Sequence, residues 1–265
     1  MPPQDVIADL RALAARTGTP DGAQRLAWGP VWRDARAWFR DKVAELGLQV
    51  TTDAAGNNWV TLPGESRDTV IVGGHLDSVP NGGWLDGALG VTAGLEALRM
   101  FSARRPPRTL AVVDWADEEG ARFGRSLLGS SAAGGSLNVE DVRALVDREG
   151  TKLVDALAEN GVSLDRMRAA HASLKAIPAR AYLELHIEQG PVLESLNKPE
   201  VSSSGRLAWS ATCSGLSDRP RIPARRRSRC GAMPFSPPRR RRWPAAGSPF
   251  VTRSQAPVSS APSVS

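Results

Sequence analysis

Val6, Ile7, Leu10, Leu13 and Ala14 recur at helical spacing and predict an amphipathic helix over residues 4–17, with Asp5 near its start. A second helix is predicted over 31–46, with Trp32, Ala35, Phe39, Val43 and Leu46 on one face and Gly47 as its stop signal. Two short strands, 48–52 and 59–62, flank Asp53-Ala54-Ala55-Gly56-Asn57-Asn58, whose Gly and Asn tolerate the left-handed backbone a hairpin needs. Residues 69–74 and 108–115 read as buried strands, separated by a helix over 87–99. Residues 137–169 carry acidic, Leu-rich helical segments broken by Gly150 and Gly161, and 181–187 reads as a third interior strand. Strands alternating with helices predict an α/β fold, a mainly parallel sheet flanked by helices on both faces.

The chain has 265 residues, 41% of them hydrophobic, which is enough for a packed core. No uninterrupted apolar run is long enough to span a bilayer, and Met1-Pro2-Pro3-Gln4-Asp5 lacks a basic stretch followed by an apolar one. The expected location is the cytoplasm, with no membrane partner. The net charge of +6 raises the question of nucleic acid, but it is unevenly placed. Residues 200–265 hold 12 Arg, no Lys and two acids, giving +10, so the first 199 residues carry 22 basic and 26 acidic groups, or −4. The same tail holds both cysteines, Cys213 and Cys230, and runs such as Arg239-Arg240-Arg241-Arg242. One reading makes it a basic arm that binds polyanions. A binding role for nucleic acid is not the expectation for the acidic body of the chain.

Candidate chemistry gathers where hydrophobic strands give way to Gly-containing turns: His75-Leu76-Asp77 and Asp86, then Glu118-Glu119, then His186-Ile187-Glu188. Ligands of open α/β sheets collect at such strand ends. The set reads as a two-metal hydrolase site, because a metal lowers the pKa of bound water to around 7 and two ions roughly 3.5–4 Å apart need a shared ligand. Asp86 is the candidate bridge. His75 and His186 would bind one ion and Glu119 the other, while Asp77 would accept the spare ring N–H of His75. Glu118 cannot easily point the same way as its neighbour, which suits a division of roles: Glu119 holds metal while Glu118 takes a proton from water and passes it to the leaving nitrogen. His171 lies in a polar helical stretch and is set aside, and Asp114 and Asp117 read as solvated acids.

The segments 73–87, 117–123 and 184–194 resemble, in order, motifs of the N-carbamoyl-L-amino-acid hydrolases and allantoate amidohydrolases. The resemblance covers most of residues 1–199. It implies a zinc aminopeptidase-like catalytic domain with two divalent ions (Zn, or Mn or Co), cleaving a carbamoyl or ureido C–N bond of a small-molecule substrate. Mapped by motif, it implies His75, Asp86, Glu119 and His186 as metal ligands, Glu118 as general acid/base and Gln189 as a substrate contact. A related metallo-aminopeptidase or deacylase is the alternative, and a non-catalytic scaffold with a polyanion-binding tail is a second. Gln189 and the Asn81-Gly82-Gly83 turn favour the carbamoyl branch.

That family continues with a lid domain that supports homodimers and then a last metal-binding histidine. No histidine follows His186 here, and the lid domain is missing. The break in composition predicts a frameshift near Pro199-Glu200, with 200–265 an out-of-frame, disordered tail and the activity impaired. Residues 207–212 and 223–234 can, with permitted codons, hide lid-domain motifs in another frame.

Overall fold

The computed structural model describes residues 4–198 and 200, so the predicted tail lies outside the described residues. Helix α1 (Gln4–Thr17) leads into a two-residue ribbon, β1 (Gly18–Thr19) and β2 (Gly22–Ala23), and then α2 (Pro30–Ala44). A hairpin of β3 (Val50–Thr52) and β4 (Asn58–Leu62) follows, then β5 (Ser66–His75), α3 (Ala88–Ser102) and β6 (Arg108–Trp115). The remainder is α4 (Leu128–Gly134), α5 (Leu153–Glu159), α6 (Ala169–Lys175), β7 (Ala179–Glu184) and α7 (Val192–Ser195).

The five-stranded sheet has the order β3-β4-β6-β5-β7. Pairings β6–β5 and β5–β7 are parallel, whereas β3–β4 and β4–β6 are antiparallel, so the sheet is mixed. The hairpin at 48–62 is what adds the antiparallel edge, since a tight turn can only reverse the chain. Alternation along the strands divides the core. Val60, Leu110 and Val112 join Leu10, Leu13, Phe39, Val43, Leu95 and Leu98 under α1, α2 and α3. Trp59, Ile71, Ala111 and Val113 point the other way, against Leu174 and Ile177 at the end of α6. Leu95 and Leu98 are fully buried, each worth about 1.5–3 kcal/mol of apolar transfer. A third cluster, with Trp28 and Trp32 among Leu128, Leu153, Leu157 and Met167, packs α4 and α5 beyond the sheet.

Helix α3 seats closely on β5: a Cβ on Gly90 would stand 2.3 Å from the Gly73 carbonyl oxygen, so only glycine allows this approach. The predicted third interior strand is corrected. Among the described residues β7 pairs with β5 alone and is exposed throughout, with Tyr182 and Leu183 44% and 55% accessible. Its apolar run indicated burial, but among the described residues no strand pairs with its outer edge, and the Tyr182 ring, whose hydroxyl accepts the Trp115 indole N–H at 3.0 Å, is one of its few contacts beyond the ladder.

Candidate functional site

The C-terminal ends of β5 and β6 lie side by side, pairing Gly74 with Asp114 and His75 with Trp115. That register puts the residues after β5 opposite the Asp117-Glu118-Glu119 turn. His75 ends its strand almost fully buried, and the parallel-strand ends are where an α/β sheet collects ligands. Gly87 makes room for it: this residue has φ +64°, and a Cβ there would stand 2.4 Å from the imidazole.

Asp77 organises the acid pair. Its Oδ1 accepts the Glu118 backbone N–H at 3.2 Å and its Oδ2 that of Glu119 at 3.0 Å. The His75 Nδ1 lies 3.1 Å from the Asp77 carbonyl oxygen and 3.5 Å from its Oδ1, so the carbonyl is the nearer partner. The expected contact of the ring with Asp77 is present, but the carboxylate spends its hydrogen bonds on the acid-pair turn. The His75 Nε2 faces Glu118 Oε2 at 3.5 Å, and it is therefore Glu118 that stands beside this ring.

A second pair forms across more than a hundred residues. His186 Nε2 lies 3.3 Å from Asp86 Oδ1, and the Gln189 amide donates to Asp86 Oδ2. Asp86 Oδ1 is buried and accepts no hydrogen bond from the described residues. His186 and Gln189 themselves are exposed beyond the end of β7. Among the described residues no three His, Cys, Asp or Glu side chains close around one point at ligating distance. The predicted residues thus stand as two pairs, His75–Glu118 and Asp86–His186.

Electrostatics ties the pairs together. Burial pushes the His75 pKa down, but Asp77, Glu118 and Glu119 outweigh it and hold it up at about 10. Glu119 is pushed up to about 7, by burial first and by the charges of Asp86, Glu118 and Asp77, against the pull of His75. A carboxyl raised by three other carboxylates sits in a field that favours a cation.

Two acids set aside as solvated are in fact completely buried. Asp114 accepts from Arg36 Nε at 2.6 Å, from Leu76 N at 2.9 Å and from Asn58 Nδ2 at 3.3 Å, fixing the residue after His75. Asp117, at φ 54°, accepts the Trp28 indole N–H at 2.7 Å. Burial raises the pKa of both. Their partners lie 38–89 positions away, beyond the reach of a local pattern. His171 is as expected a structural residue, its Nδ1 2.9 Å from the Ala133 carbonyl oxygen.

Residues 57–174 match the sequence profile of Peptidase family M28. The N-carbamoyl-L-amino acid amidohydrolase of Geobacillus stearothermophilus is 40% identical over 194 residues, covering 71% of this chain and 47% of that protein. The allantoate amidohydrolase of Escherichia coli K12 is 36% identical over 178 residues, covering 66% and 42%. A hydantoinase/carbamoylase family amidase from Burkholderia ambifaria superposes with a TM-score of 0.63 at 34% identity, over 74% of this chain and 48% of that one. By sequence and by fold, this chain is similar to the N-carbamoyl-L-amino acid and allantoate amidohydrolases and to hydantoinase/carbamoylase family amidases. The chain spans about half the length of the curated relatives it matches. The mixed α/β sheet with flanking helices is the fold these relatives share with it. No helix among the described residues is long and apolar enough to cross a membrane.

Proposed function

We propose that this chain carries the larger part of a metal-dependent site for hydrolysing a non-peptide C–N bond, in a small N-carbamoyl amino acid or a ureido acid of the allantoate type. The observation that carries the reading is Asp86: a buried carboxylate oxygen with no hydrogen bond among the described residues, 3.3 Å from the imidazole nitrogen of His186 just beyond the end of β7. A buried anion oxygen left bare costs free energy unless a cation meets it. The donor set, imidazole nitrogen with carboxylate oxygen, fits Zn, Mn or Co. His75, Asp86, Glu119 and His186 are the residues that would hold two such ions, which supply, when bound, a Lewis acid that activates water near neutral pH.

The chain's own groups take the remaining roles. Glu118, half-buried with Oε2 3.5 Å from His75 Nε2, would accept a proton from water and return it to the leaving nitrogen. Asp77 holds the Glu118 and Glu119 backbones, so that both carboxylates stay at the strand end. Gln189, on the same loop as His186, is placed to donate to a substrate carbonyl oxygen when Asp86 is otherwise engaged.

The names of the matched relatives support this substrate class, and the chain spans about half the length of those relatives. We propose accordingly that residues 200–265 arise from a frameshift, that activity is impaired and that the intact protein is a cytoplasmic homodimer. Sequencing the coding DNA across codons 190–265 tests the first point: the idea fails if no frame restores a lid segment and a further histidine. The function is tested by assaying the restored chain with N-carbamoyl amino acids, allantoate and aminoacyl amides, with Zn, Mn and Co in turn. Turnover confined to the aminoacyl amides would sink the ureido reading in favour of a peptidase.

A further inference from the structure

Arg25 lies between β2 and α2, outside every motif discussed so far, and is completely buried. Its side-chain Nε donates to the Leu76 carbonyl oxygen at 2.6 Å. Its backbone N–H donates to Ser78 Oγ at 3.0 Å, and its carbonyl accepts the Ser78 N–H at 3.0 Å. Arg25 therefore grips the residues on either side of Asp77. The two terminal nitrogens of its guanidinium are buried and have no hydrogen-bond partner among the described residues. Burial holds the pKa of this group below its ordinary value, and the charges of Asp77, Asp86, Asp114 and Glu119 offset only part of that. An arginine enclosed with two of its nitrogens unsatisfied is costly, and persists only where surrounding charge compensates.

We propose that Arg25 is a positioning residue for the site: an enclosed resident cation that fixes the Leu76-Asp77-Ser78 strand end and shares the task of neutralising the carboxylates gathered there. It keeps the acids together when no divalent ion is bound, and it competes with such an ion for their charge. This rests on the metal-site reading above, but its electrostatic half can be tested without any metal.

The experiment is a double-mutant cycle on the full chain in chelator, pairing Arg25→Met with Asp86→Asn and following thermal unfolding. Arg25→Met alone is expected to lower Tm by on the order of 10 °C, as for loss of one partner in a buried charge cluster. In that background Asp86→Asn should raise Tm, or lower it by several degrees less than in the parent, because an uncompensated negative charge has been removed. In an Arg25→Lys background, which keeps the charge but not the planar contacts, Asp86→Asn should act as in the parent. If Arg25→Met does not fold, Arg25→Gln and Arg25→Lys carry the same comparison. Additive shifts throughout would overturn the proposal and leave Arg25 a packing residue.

Calorimetric titration with Mn²⁺ supplies the second arm. Removing the resident charge should tighten binding about fivefold or more on Coulomb grounds, whereas a purely structural role would weaken it. A parent chain that binds no Mn²⁺, yet shows the coupling, would remove the metal reading and keep Arg25. A parent that binds Mn²⁺ without the coupling would do the reverse.

Discussion

Asp77 Oδ2 accepts the Glu119 backbone N–H at 3.0 Å, joining the turn after β6 to the end of β5 across 42 positions of sequence. Because the same carboxylate also holds the Glu118 N–H, an amide in its place would turn an NH₂ group toward one of the two donors. Asp77→Asn is therefore expected to cost about 1–3 kcal/mol of stability and to weaken divalent-metal binding by about 10–100-fold. Denaturant titration and calorimetry in parallel would check both numbers, and an unchanged metal affinity would contradict the role given to Asp77.

Gly87 offers a steric test of the His75 pocket. Gly87→Ala adds a left-handed alanine and a Cβ 2.4 Å from the imidazole, so a loss of about 1–2 kcal/mol or more is expected together with displacement of the ring. Gly83→Ala, where a Cβ would meet nothing within 4 Å, is the control and should be near neutral. Comparable losses in the two variants would show that the ring does not govern the effect.

The buried Arg36–Asp114 pair, at 2.6 Å and no more than 7% exposed, anchors Leu76 next to His75. Arg36→Met leaves the Asp114 charge enclosed with only neutral donors, and is expected to destabilise the chain by about 3–5 kcal/mol. The double variant Arg36→Met, Asp114→Asn should recover part of that loss in urea unfolding. No recovery would mean that the pair matters for packing and not for charge.

The pH dependence of the metal-free chain follows from the raised pKa values. His75 is held at about 10, above its unfolded value near 6.5, so the stability it contributes is complete below pH 6.5 and is lost as pH rises through about 10. Glu119, raised to about 7, acts in the same direction between about pH 4.5 and 7, since the folded state holds the extra proton. Tm in chelator should fall steadily from pH 5 to pH 10. Added Zn²⁺ or Mn²⁺ should flatten the fall, because the ion replaces the protons. A Tm that rises over this range without metal would refute the assigned shifts.

Local pattern carried α1, α2, β5 and β6 to within a few residues, because each buries one continuous stripe or run against the core. It also carried the strand-end placement of His75, Asp86, Glu118 and Glu119. What it lacked was burial set by distant partners. Asp114 and Asp117 look like any acids in a charged turn, and only Arg36 and Trp28, far back in the chain, take them out of water. Arg25 gave no signal at all, since a lone arginine before a helix ordinarily faces solvent. The β7 error has the opposite origin: an apolar strand reads as interior, yet interior position depends on a neighbour that must come from elsewhere in the chain.

The bare β7 edge gives the two halves of the site different lifetimes. His75 and the acid pair rest on β5 and β6, inside the sheet, whereas His186 and Gln189 follow a strand that, among the described residues, is bonded on one side. Such an edge frays at a small fraction of the global unfolding free energy. Amide exchange should therefore release β7 orders of magnitude sooner than β5, and Asp86 would lose its histidine many times over before His75 loses its pocket.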